Sequence, residues 1–231
     1  MTRAVALAAL VATTTGCAGT SVTLREALDQ SDLQARLATR GHVWLGQGKR
    51  PFLVGGERFN PDCTGFVEAV YAAEGIPLRL LAQRAAPAET SGVAAIWAAA
   101  GRYGSRWRGG EWPAPGDLIF FDDTWDRNGN GAFDDPFTHL GMVEWVDGQG
   151  TVTFLHRAGA GVVRGHLTLA RPAAMRAAGG AELNAPLRVR VSRDDRAPAL
   201  AGELFVGFGR IDPAHAVRRT HASSAAKPTR G

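Results

Sequence analysis

Two hydrophobic periods alternate along the chain. Phe66, Val67, Val70 and Tyr71 recur at three- and four-residue spacing, Glu68 falls off that stripe and Gly75 follows as a stop, which predicts an amphipathic helix. Val93, Ile96 and Trp97 predict a second helix, and residues 172–178 a further one. Ser31-Asp32-Leu33-Gln34 has capping-box form and opens a short helix to Arg40, stopped by Gly41. Residues 138–146 and 151–156 read as strands joined by the turn Asp147-Gly148-Gln149-Gly150, a β-hairpin. Leu187, Val189 and Val191, then Leu204, Val206 and Phe208, also alternate like strands. The fold class is α+β, with helices preceding and packing on an antiparallel sheet.

The ends follow different rules. Arg3 precedes the apolar, small-residue run of residues 4–12 and then Thr14-Thr15-Gly16-Cys17; the run is half the length of a spanning helix and reads as a signal peptide over residues 1–16. Small residues before a cysteine resemble a bacterial lipobox, which implies lipidation of Cys17, although Thr14 stands where a leucine is usual. Ala18 after it, by resemblance to Gram-negative lipoproteins, implies an outer-membrane lipoprotein facing the periplasm. Residues 17–41 form a tether with the short helix, residues 42–212 the domain, and residues 213–231, rich in Ala, Ser, Arg and Lys, a solvated tail.

The 231 residues are 45% apolar, enough for one sizeable core, and carry a formal charge of only +4. Basic and acidic residues are interspersed, and no motif supplies base contacts, so a nucleic-acid partner is disfavoured. A monomer is expected. With Cys17 lipidated, Cys63 is the remaining thiol of an exported protein and has no disulfide partner. Asn60-Pro61-Asp62-Cys63 is turn chemistry leading straight into the first predicted helix. The helix N-terminus favours a thiolate, so Cys63 is expected to have a lowered pKa and to act as a nucleophile, with the same N–H groups holding an oxyanion.

Of the six histidines, His139 is the best-placed base. If the four-residue turn closes symmetrically, Val146 opposes Thr151 and paired residue numbers sum to 297. His156 then faces Gly141, and His139 becomes its diagonal neighbour on the same face. That supplies a base and a residue to orient it. A bulge within the turn would void the register. No His-Glu-x-x-His or paired-Cys spacing supports zinc at these residues.

Together the pieces resemble the NlpC family of papain-like cell-wall cysteine endopeptidases, related in fold to the CHAP amidases. Gly55-Gly56, then Asp62-Cys63-Thr64-Gly65-Phe66, Gly75-Ile76, Pro115-Gly116-Asp117 before 118–121, 139–143 and His156 occur in the family's order. The resemblance implies a papain-like domain, cleavage of amide bonds in peptidoglycan stem peptides, and a Cys63-His139-His156 mechanism that needs no cofactor. It also implies a structural role for Asp117, closing the turn before a core strand. Two departures stand out. Phe52 occupies the place of a tyrosine whose hydroxyl helps hold the oxyanion, and extra segments lie at about 80–112 and 122–137. A catalytically weak NlpC-fold lipoprotein serving as a calcium-dependent binding or scaffold protein of the envelope is therefore the alternative.

The second insertion has its own pattern. Asp126, Asn128 and Asn130 place oxygens at alternate positions, Gly131 follows, and Ala132 through its carbonyl and Asp134 would complete a calcium loop. The closing Glu of an EF-hand is replaced by Phe137. The competing reading is a polar turn without metal. Trp107, Trp112, Phe120, Phe121 and Trp125 are expected to be mainly core, with some rings able to line a substrate groove.

Overall fold

The computed structural model describes residues 24–188 and 197–214. The signal segment, Cys17 and Ala18, Val189 and Val191, and most of the tail lie outside the described residues. The chain runs α1 (Leu24–Val43), β1 (Phe52–Val54), β2 (Glu57–Phe59), α2 (Cys63–Ala72), α3 (Leu78–Ala85) and α4 (Gly92–Tyr103). It continues β3 (Gly104–Trp107), β4 (Leu118–Phe121), β5 (His139–Val146), β6 (Val152–Arg157), β7 (Val162–Leu167), α5 (Ala201–Leu204) and β8 (Phe205–Ile211). Among the described residues, six strands form one antiparallel sheet in the order β3-β8-β4-β5-β6-β7, and β1-β2 is a separate hairpin. The expected α+β, papain-like arrangement of helices on an antiparallel sheet is present.

Alternation along the strands sorts the core into two layers. Leu118, Phe120, Leu140, Met142 and Leu155 face α1, α2 and α4, where Leu33, Leu37, Phe66, Val70, Ile96 and Ala99 meet them. Ile119, Phe121, Val143, Phe154 and Phe208 face the other way, onto Ala201 and Leu204. Both faces of β4 to β6 are thus covered, which is why β4 reads as an unbroken apolar run. Asp117 ties the layers together: buried completely, it accepts bonds from Arg210 Nε and Nη2 at 2.8 and 2.7 Å, Gln34 Nε2 at 2.6 Å and the Ala114 N–H at 2.7 Å. The turn it closes requires Gly116 at φ 87°.

Several local expectations are corrected. The first helix begins at Leu24, well before the capping-box pattern at Ser31, because Leu33, Leu37 and Ala38 dock on the core and extend the helix beyond its local signal. Residues 172–178 form turns held by Asn184, whose amide donates to the carbonyls of Arg171 and Ala174, and not a helix. Leu187 lies outside any strand beside the isolated bridge of Pro186 with Leu200, and the last strand starts only at Phe205, after the turn of α5. Of the aromatic group, Phe120 and Phe121 are core and Trp107 is partly buried, whereas Trp112 and Trp125 are exposed.

Candidate active site

Two elements, α2 and β5, converge on Cys63. It is the first residue of α2, and Asp62 caps the helix, its Oδ1 accepting from the Gly65 N–H and the Thr64 hydroxyl, both at 2.8 Å. Gly65 is obligatory, since a Cβ there would run into the backbone of Asn60. The partly exposed thiol is approached by the N–H groups of Cys63 and Thr64 at the helix start and by that of Leu140 on β5. No side chain foretells this Leu140 contact, so sequence reasoning missed it.

The β5-β6 pairing brings the histidines together. The turn is longer than predicted: Val146 pairs with Val152 and Trp145 with Thr153, a sum of 298. A bulge at Glu144 then removes the offset, and Val143 pairs with Phe154 and Met142 with Leu155, restoring 297. Gly141 accordingly lies against His156, and His139 Nε2 stands 2.9 Å from His156 Nδ1 with the rings edge to face. This bond occupies Nε2 and leaves Nδ1 as the free ring nitrogen of His139. A proton accepted at Nδ1 requires the tautomer in which His139 Nε2–H donates to His156. Phe121 and Phe154 flank the pair.

Burial sets the electrostatics. Desolvation lowers the His139 pKa to about 4. Desolvation, and then the neighbouring His139, lower that of His156 to about 3. The thiol also departs from expectation. Burial, more than the nearby Asp62 carboxylate, raises Cys63 to about 11 against the three backbone N–H groups that lower it. The site therefore rests as neutral thiol and neutral imidazole. The helix terminus acts in the predicted direction, but desolvation outweighs it.

Phe52 is fully buried, its ring 5.6 Å from Trp44 and 5.7 Å from Phe66, so it is a core residue with no donor to offer. The 122–137 segment is knitted by its own oxygens. Asp126 accepts from the Gly129 and Gly131 N–H groups, Asn128 Oδ1 from Asn130 N–H and Asn130 Oδ1 from Ala132 N–H, and Asp134 takes the Asn128 and Asn130 side-chain amides. Among the described residues no group of three or more His, Cys, Asp or Glu is arranged to hold a metal. Asp135 is buried and accepts from the Arg127 N–H, anchoring the loop close to the strand that carries His139.

A cysteine opening a helix, with a histidine pair on the sheet behind it, is the arrangement of a papain-like thiol hydrolase. Residues 54–157 match the CHAP domain, a family of cysteine, histidine-dependent amidohydrolases and peptidases, and the match spans Cys63, His139 and His156. No curated protein and no solved structure matched the chain. Residues 54–157 thus match a CHAP domain, the family to which the ordered motifs' NlpC-type resemblance is related in fold. CHAP domains act typically as hydrolases on peptidoglycan, as amidases or peptidases.

Proposed function

We propose that this protein is a cell-envelope cysteine hydrolase that cleaves amide bonds of peptidoglycan stem peptides, with Cys63 as nucleophile, His139 as base and His156 as the residue that positions it. The observation that carries the reading is the His139 Nε2 to His156 Nδ1 contact of 2.9 Å, together with a thiol at a helix N-terminus that meets the N–H of Leu140, the residue after His139. In the reaction, His139 Nδ1 takes the Cys63 proton as Sγ bonds to the substrate carbonyl carbon. The carbonyl electron pair moves to oxygen, held by N–H groups at the start of α2. Collapse expels the amine, which receives the proton from His139, and water attacks the thioester with His139 again as base, releasing the acid and the free thiol. The neutral resting pair fits general-base attack once substrate is bound, not a preformed ion pair.

The lipobox-like segment supports anchoring through Cys17 at the outer membrane, facing the periplasm. Among the described residues no helix is long and apolar enough to cross a membrane. The purified protein should release peptide fragments from sacculi, detected by mass spectrometry, and Cys63→Ala should abolish release. Equal release by that variant, or none by the wild type, would overturn the reading.

A further inference from the structure

We infer that Arg157 is a specificity residue: its guanidinium binds a carboxylate of the substrate peptide close to the amide that is cut. This deepens the hydrolase reading above and rests on it for the identity of the ligand. The starting observation is an orphan. Arg157 is 8% exposed, and its Nε is, among the described residues, the buried side-chain nitrogen or oxygen with no hydrogen-bond partner. Nor does its guanidinium enter any ion pair or ring contact among the described residues.

Other buried side-chain polar groups among the described residues are satisfied. Asp117 is held by Arg210, Gln34 and the Ala114 N–H, Asn184 by Thr168, Arg171 and Ala174, Thr138 by Thr124, and His156 by His139. A guanidinium whose Nε is taken from water without a partner is unfavourable, and its terminal nitrogens, which are not buried, are the ones an anion from outside can reach. Planar, forked donors match a carboxylate in two parallel hydrogen bonds.

Placement argues that the anion belongs to the substrate. Arg157 directly follows His156 and ends β6, so alternation puts it on the opposite face from the histidine pair, with Leu155. That is the face covered by α1 and α2: Leu155 lies close to Gly41, whose other neighbours are Phe66 and Met142. Continuing the pairing of Met142 with Leu155 by two residues sets Arg157 opposite Leu140, whose N–H reaches the Cys63 thiol. The unpartnered cation and the nucleophile therefore flank the same residue of β5. On its other side Arg157 pairs with Val162, whose backbone is bonded to Gly46 and Gln47, and among the described residues no acidic residue is paired with the guanidinium.

The test uses the full chain and a synthetic stem peptide carrying the free α-carboxylate of its D-glutamate, together with the same peptide amidated at that group. Wild type should cleave the acid with kcat/KM about 10- to 100-fold above the amide, mostly through KM. Arg157→Met should erase that preference by weakening the acid alone, with a melting temperature unchanged or raised, because an uncompensated charge has been removed. Arg157→Lys, which keeps charge but not the fork, should retain only part of the preference and provides the measurement if the methionine variant does not fold. An acid preference that survives Arg157→Met, or a wild type indifferent to amidation, overturns the inference. So does a lowered melting temperature with unchanged selectivity. Calorimetric titration of both peptides into Cys63→Ala and Cys63→Ala/Arg157→Met separates the two readings. Arginine-dependent binding of the acid without cleavage by the wild type sinks the hydrolase and keeps the carboxylate site; cleavage indifferent to Arg157 does the reverse.

Discussion

Acid should unfold this protein through its histidine pair. In the folded state His139 titrates at about 4 and His156 at about 3, both below the ordinary value near 6.5 because of desolvation, to which the neighbouring His139 adds for His156. A base whose folded pKa is depressed contributes stability that is complete above its unfolded pKa and is lost as pH falls through that value, since only the unfolded chain takes up the proton. The loss begins near pH 6.5 and continues to the folded values. At pH 5 the unfolded rings lie about 1.5 units below their pKa, and each proton forgone costs about 2 kcal/mol, about 4 kcal/mol for the pair. That result holds for any folded values well below 5. Set against typical stabilities of about 5–15 kcal/mol, it is a large fraction. The assay is urea denaturation followed by tryptophan fluorescence at pH 8 and pH 5, on wild type and on His139→Gln/His156→Gln. The raised carboxylates Glu68, Asp117 and Asp122 act in the opposite sense but are common to both proteins and cancel in the comparison. Wild type should lose about 4 kcal/mol more than the double variant on acidification. Losses equal within about 1 kcal/mol, the precision of such extrapolations, refute the neutral buried pair.

Three further outcomes follow from single features. Because the thiol is raised to about 11, iodoacetamide labelling of Cys63 should accelerate roughly tenfold per pH unit between 7 and 10, and Asp62→Asn, which keeps a capping oxygen but removes the charge, should speed it at fixed pH; labelling independent of pH in that range contradicts the assignment. Asp117→Asn should cost about 3–5 kcal/mol in denaturant by leaving Arg210 without its buried carboxylate, while activity per folded molecule is retained. For the 126–134 loop, chelator should lower the melting temperature and added calcium restore it if Asp126, Asn128, Asn130, Ala132 and Asp134 take the ion; a melting curve indifferent to both assigns the loop to its own hydrogen bonds.

The parts of the fold that were legible in the sequence are those in which a local signal and the tertiary structure agree. The turn, cap and glycine around Cys63 are one such case, where Asp62 caps, Gly65 packs on Asn60, and the apolar stripe of α2 is buried. Tertiary effects account for the misses. Docking of Leu33 and Leu37 lengthens α1 beyond its capping box, and desolvation of Cys63 reverses the pKa shift expected from the helix terminus. Arg157 left no sequence signal, because an arginine at a strand end is ordinary until its missing partner is seen.

The hairpin shows how a register can be right at the site and wrong at the turn. Glu144 is the extra residue: Val143 and Val146 both pack on the second layer, and the two residues between them cannot alternate without a bulge. Glu144 points to the helical face, where its carboxylate meets His42 at 2.9 Å and Arg164 at 2.6 and 2.8 Å. Deleting Glu144 leaves Val143, Trp145 and Val146 in strict alternation with the pairs Val143 to Phe154 and Trp145 to Thr153 intact. The deletion should therefore preserve the His139 to His156 contact and the hydrolytic rate, at a cost of about 1–2 kcal/mol for the lost ion pairs. If the turn dictated register instead, removing one residue would rotate His139 to the opposite face and abolish activity in a protein that still melts cooperatively. A folded, inactive deletion variant would overturn the compensation argument; a folded, active one places control of the site in the packing of Val143, Phe154 and Leu155 around it.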